Sequence, residues 1–205
     1  MAYFKLYSAV IAIFVAVPAF AQGWIEYADP AQFFSVNLPG EPEISTIDYT
    51  SEYGAVYPAR VYAVQRGPSR YSVTVVDFTV AKITHTEPDD KTDDANARSL
   101  WVYDQRASIA QAAREFRQRG GEVTFDAWNN IDRVEGHMLQ ITNTDGSRTF
   151  AGIYLQAPRL YILEATVPVG APPPGLFQQS LSFLDEEGKT VRYRIEPDGS
   201  RTRIR

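Results

Sequence analysis

The chain contains no cysteine in its 205 residues. No disulfide can staple the fold, no thiolate can act as nucleophile or metal ligand, and no lipid can be attached at a cysteine. Histidine is nearly as scarce: His85 and His137 carry all the imidazole chemistry available. Basic residues are outnumbered, 20 against 25 acidic ones, for a net charge of −5. A phosphate backbone demands a positive footprint, so this balance argues against wholesale nucleic-acid binding. No G-x-S-x-G elbow, S-x-x-K, H-E-x-x-H or glycine-rich phosphate loop occurs, and no cofactor or metal is called for. The longest apolar run, Leu6 to Val17, is about 12 residues, against the roughly 20 that a helix needs to cross a bilayer.

That run instead fits a cleavable export signal. Lys5 is the only charged side chain before Glu26, Pro18 breaks the apolar stretch, and Ala19-Phe20-Ala21 offers small residues to a peptidase. The expected cut is between Ala21 and Gln22, with the bond after Ala19 as second choice. A buried amino-terminal helix or an uncut anchor is the bland alternative. Loss of residues 1–21 removes Lys5 and takes the net charge from −5 to −6. An exported, cysteine-free chain reads as a soluble bacterial periplasmic or secreted protein and not a lipoprotein.

Beyond residue 21, alternation with period two dominates the chain. Phe34-Ser35-Val36-Asn37-Leu38 alternates and stops at Pro39-Gly40; Ile44 to Tyr49, Arg60 to Gln65 and Tyr71 to Phe78 read as the next strands. Residues 84–96 are polar and acidic, a solvated loop. Ser99 to Arg119 lacks glycine and proline, places Val102, Ile109, Ala113 and Phe116 on one stripe interrupted by Arg106, and ends at Gly120-Gly121. Strands resume at Val123–Trp128, Gly136–Asn143, Arg148–Gln156 and Leu160–Val167, with Asp145-Gly146 a hairpin signal. After a stiff connector, Pro168 to Gly175, a short second helix is expected over about 176–184. Tight turns favour antiparallel pairing. The expected fold is α+β: a mainly antiparallel sheet with a long helix at about 99–119, arranged as an α/β/α-like sandwich over 22–188, then an arginine-rich tail over 189–205.

The run Phe34 to Pro42 (FSVNLPGEP) resembles the opening of exported domains with the PsbP/Mog1-like fold. The order meander, long helix, second meander, closing helix is similar too, over roughly Trp24 to Asp185. The resemblance implies an antiparallel sheet between helical layers and a non-enzymatic accessory or binding role. That group shares no catalytic residue set, so no residue is assigned a role by this route.

Candidate chemistry rests on few residues. His137 shares parity with Leu139 and Ile141, which turns it toward the core as a structural histidine. His85 stands beside Glu87, Asp89, Asp90, Asp93 and Asp94, which can hold a divalent ion but lack the spacing and glycine of an EF-hand loop. The other reading is a solvated loop whose acidic residues favour the helix start. In the tail, a hairpin centred on Asp198-Gly199 sets Arg194 opposite Arg203, Arg192 opposite Arg205 and Glu196 opposite Arg201. An arginine face of Arg192, Arg194, Arg201, Arg203 and Arg205 results, opposed by Tyr193, Ile195, Thr202 and Ile204. Like charges facing one another destabilise a ribbon, so this face would seek an anionic partner: an acidic patch on the domain itself, a protein, lipid headgroups or an envelope polymer. A frayed, solvated end is the alternative. The expected function is a periplasmic, non-enzymatic binding or accessory protein; the alternatives are a hydrolase of envelope material using a carboxylate pair, or a structural envelope protein.

Overall fold

The computed structural model describes residues 23–85 and 95–204. The export segment with its Ala21–Gln22 bond, the carboxylates Glu87, Asp89, Asp90, Asp93 and Asp94, and Arg205 lie outside the described residues.

The centre is a seven-stranded antiparallel sheet built from two meanders. The first comprises β3 (Glu43–Thr50), β4 (Val56–Arg66) and β5 (Ser69–Asp77). The second comprises β6 (Glu122–Ile131), β7 (Val134–Thr142), β8 (Arg148–Gln156) and β9 (Arg159–Val167). They join edge to edge through β5 and β9, giving the order β3-β4-β5-β9-β8-β7-β6. The joining strands carry the richest β-branched and aromatic runs, as a strand buried on both faces requires. Gly136 in β7 keeps the backbone bare where Tyr154 of β8 lies across it; a Cβ there would run into the Tyr154 ring and the Ile153 carbonyl.

One sheet face is covered by α2 (Ala95–Gln118), the predicted long helix begun about one turn earlier; a short turn, α1 (Ala81–Thr84), precedes it. Ile109, Ala112, Ala113 and Phe116 pack on Leu139, Ile141, Ala151 and Ile153, while Arg106 points to solvent, off the stripe. Asp104, Gln105 and Ser108 are buried as well, so the upper half of this face is polar.

The opposite face corrects two expectations. Its cover is a small sheet of order β1-β2-β10, formed by β1 (Ile25–Asp29), β2 (Phe34–Leu38) and β10 (Ser182–Phe183). The predicted helix over 176–184 shrinks to a single turn, α3 (Gly175–Gln178). Leu181 and Phe183 are both buried with Ser182 between them, a period-two pattern that pairs with Phe34 and Ser35. The layers are therefore helix, large sheet and small sheet. Phe34, Val36 and Leu38 point from β2 into a core with Tyr62, Val73, Tyr161 and Phe177. Among the described residues no helix is long and apolar enough to cross a membrane.

Candidate functional site

The tail forms the hairpin that Asp198-Gly199 predicts, but in another register. Strands β11 (Tyr193–Ile195) and β12 (Arg201–Arg203) pair Tyr193 with Arg203, Arg194 with Thr202 and Ile195 with Arg201. The loop is Pro197-Asp198-Gly199, closed by the Glu196 N–H on the Ser200 carbonyl at 2.9 Å, with Gly199 at φ 81°. A three-residue loop with a left-handed glycine shifts the pairing by one residue, and such a slip turns one strand's side chains to the other face. The single arginine face therefore does not form. Arg201 and Arg203 lie with Tyr193 and Ile195, whereas Arg192 and Arg194 lie with Thr202.

The arginines dock the hairpin on the rest of the fold. Arg192 donates to Asp132 at 2.9 Å, Arg201 to the Arg133 carbonyl at 3.0 Å, and Arg203 to Asp185 at 3.1 Å. Asp132 and Arg133 form the tight β6–β7 turn with φ of 47° and 64°, a backbone region that L residues visit rarely. The Arg201 guanidinium also lies 4.3 Å over the Tyr193 ring. Arg194 pairs locally, with Glu196 just past the end of its strand, at 3.0 Å. Backbone N–H groups of Lys189 and Glu187 donate to Asp185, which with Arg203 nearby holds its carboxyl below the usual range. Asp132 and Asp185 are acidic groups of the domain itself, one of the kinds of anionic partner expected for the tail.

Docking leaves a cleft of about 340 Å³ between the hairpin, the β8–β9 turn and the turn after Asp185. Gln156 and Arg159 face each other across β8 and β9 and line it, so both side chains belong to one face of the ladder. Gln156 donates from Nε2 to the Tyr193 hydroxyl at 2.6 Å. Arg159 stacks 4.6 Å over the Phe33 ring and reaches Asp77 at 3.3 Å. Tyr161 donates to the Gln32 carbonyl at 2.9 Å, and burial raises its hydroxyl well above the ordinary tyrosine range. Two buried atoms here, Gln156 Oε1 and Arg159 Nε, have no partner among the described residues. Both atoms are closed off from the cleft as well as from solvent, as are unpaired atoms of Tyr49, Asp104 and Gln111 elsewhere in the fold.

Both histidines meet carboxylates elsewhere. His85 Nε2 lies 2.7 Å from Asp104 Oδ2, which also accepts from the Tyr57 hydroxyl at 3.0 Å. Asp104 is fully buried, and its other oxygen has no partner among the described residues. Ser108, one turn along, donates to its own helix at the Gln105 carbonyl, 2.6 Å away. Its hydroxyl is therefore not engaged with His85, and Asp104, His85 and Tyr57 form a buried hydrogen-bonded knot. No sequence motif announced Asp104. The available signal was a carboxylate at i−4 from Ser108 and i−8 from Ala112, on the side of α2 that faces the sheet.

His137 faces α2 as its parity predicts and is buried beneath it. Its Nε2 lies 2.5 Å from Asp126 Oδ1, and Arg117 clamps the same carboxylate with bonds of 2.7 and 2.9 Å. Arg117 first, then His137, holds the Asp126 carboxyl down at about 2. A depressed carboxyl contributes stability that is present above its unfolded pKa, roughly 4, and is lost as pH falls through the folded value. The stability difference between the native chain and Asp126→Asn is thus expected to be largest above pH ~5 and to shrink steadily toward pH ~2. Urea unfolding across that window measures it; a difference independent of pH would sink the assignment.

The class that these elements define is an α+β protein, dominated by antiparallel sheet, with a hairpin-walled cleft at one end. Compared with known proteins, the chain matches no family model and no curated protein.

Proposed function

We propose that this chain is an exported, non-enzymatic binding or accessory protein of the bacterial periplasm, and that its contact site is the hairpin-walled cleft. The observation that carries the reading is the cleft itself: a cavity of about 340 Å³ walled by the docked tail hairpin and the β8–β9 turn, with Gln156, Arg159 and Tyr193 on its lining. That volume is at the small end of the ~300–1,000 Å³ typical of ligand pockets. Its lining includes no histidine, serine or threonine. A hydrolase with a carboxylate pair needs two converging acids with lone pairs to spare, whereas Asp185 accepts two backbone N–H groups and Arg203. The export segment supplies the compartment. The antiparallel sheet under one long helix, and β2 ending at Pro39-Gly40, agree with the PsbP/Mog1-like likeness, whereas the small sheet β1-β2-β10 stands where that likeness implies a second helical layer.

The reading is tested by recovering the protein from its own cell envelope in three forms: native, Tyr193→Ala, and Arg194→Ala as a surface control. The expected result is a partner or ligand retained by the native and Arg194→Ala forms and lost from Tyr193→Ala. Identical recovery with all three forms counts against the cleft.

A further inference from the structure

Going beyond that reading, we infer that two copies of this chain pair along β6, antiparallel about a two-fold axis at Trp128. β6 ends the large sheet, and among the described residues no strand covers its outer side. Natural edges are usually blunted by lysine, proline, a bulge or a covering element. β6 has a bulge between Val123 and Phe125, but from Phe125 to Ile131 (FDAWNNI) it holds no lysine, arginine, proline or glycine. Within that stretch Phe125 and Trp128 are 50% and 71% exposed, on opposite faces of the sheet. α2 rests on β7, β8 and β9 and reaches β6 through the Arg117–Asp126 pair, so the helix leaves this edge open.

The occupant follows from what the edge offers. Asp132-Arg133 is a two-residue loop with both φ positive, so Ile131 and Val134 close it by exchanging both backbone bonds. Bonding then alternates along the ladder. Asn129 and Ala127 bond to β7, while Asn130, Trp128 and Asp126 turn their N–H and C=O groups outward. A second β6 laid antiparallel, with Trp128 opposite the partner's Trp128, sets Asp126 opposite the partner's Asn130. All three outward residues then pair, giving about six N–H···O bonds. Phe125 falls opposite the partner's Ile131 on one face, and the two indoles meet on the other. Each indole is already steadied edge-on by His137 at 5.1 Å. An axis one residue to either side would set Trp128 opposite the partner's Asp126 or Asn130; one at Asp126 would set two carboxylates face to face. Asp126 is the one carboxylate in the stretch, and Arg117 and His137 hold it, so little charge opposes the approach of a copy. The lining of the cleft includes no residue of β6, so the pair carries two open clefts.

The test is sedimentation equilibrium of protein expressed from the full-length gene, over about a hundredfold range of concentration. The expected result is a reversible monomer–dimer equilibrium. Trp128→Lys sets two ammonium groups across the axis and should weaken the dimer about tenfold or more. Trp128 is largely exposed, so this variant should keep the native urea midpoint. Because the chain has no cysteine, Trp128→Cys adds one thiol per copy, facing its equivalent at about 5.5 Å between Cα atoms, within disulfide reach. Mild oxidation should link it into a covalent dimer. Thr124→Cys, more than about 20 Å from its equivalent in this register, should not link. Should the lysine variant unfold, the two cysteine variants decide. A chain that stays monomeric throughout overturns the inference. So does a dimer that Trp128→Lys leaves unweakened, or one that links equally through both cysteines, since its axis then lies elsewhere. Open-ended polymers, grown by β6 of one copy on β3 of the next, overturn the closed pair as well. The cleft reading stands or falls separately, by recovery of the Tyr193→Ala form from the envelope.

Discussion

Replacing Asp104 with alanine will destabilise the protein by about 2–5 kcal/mol, because it strands two buried partners at once. Asp104 is fully buried on the sheet-facing side of α2, and one of its oxygens holds both His85 and the Tyr57 hydroxyl. Tyr57 is itself fully buried, packed 4.6 Å edge-on against Phe78, and cannot turn to solvent. Each group left unpaired in a low-dielectric interior forfeits its hydration with nothing in exchange. Asp104→Asn keeps an acceptor in place and should cost about 1 kcal/mol. Urea unfolding of the two variants measures the contrast. Equal stability of Asp104→Ala and the native chain would mean that the knot contributes nothing.

The second large effect lies on the other face of the sheet. Phe34→Ala is expected to cost about 3–5 kcal/mol, the range for a deleted core aromatic. Phe34 is fully buried, with ring centroids of Tyr62, Tyr161 and Tyr27 at 5.1, 6.0 and 6.3 Å. Its backbone pairs with both Asp29 and Phe183, so it anchors the small sheet from both sides. Phe34→Leu retains most of the volume and should cost less than about 1.5 kcal/mol. Urea midpoints with unchanged slopes give these values; a shift below about 1 kcal/mol for the alanine variant would contradict this packing. Because the two sites lie on opposite faces and share no partner, their costs should add within about 0.5 kcal/mol.

The elements that sequence alone made legible are those whose signal is local. β8 occupies the residues its alternation predicts, and Asp145-Gly146 turns the chain between β7 and β8, with Gly146 at φ 79° and Asp145 accepting from the Ser147 backbone at 2.9 Å. Side-chain parity turned His137 toward α2, since a strand has only two faces to choose between. α2 was legible because glycine and proline are excluded from it and a glycine pair follows it.

The absence of cysteine was determined by sequence too, and with it a fold held together without disulfides. What the tertiary structure decided was pairing at a distance. Leu176 to Leu184 carries enough apolar residues for a helix, yet β2 presents an open edge that captures Ser182 and Phe183 as a strand. The hairpin register turned on whether the loop held two, three or four residues, a choice that composition does not encode; it dispersed the predicted arginine face and directed its members to Asp132, Arg133 and Asp185. Asp104 and His85 meet because α2 folds back over the turn that precedes it. Gln156, Arg159 and Tyr193 meet because the tail docks against the β8–β9 turn. Period and propensity act over a few residues, whereas a cleft is made where segments far apart in the chain come to rest, and that is set by how three layers share one core.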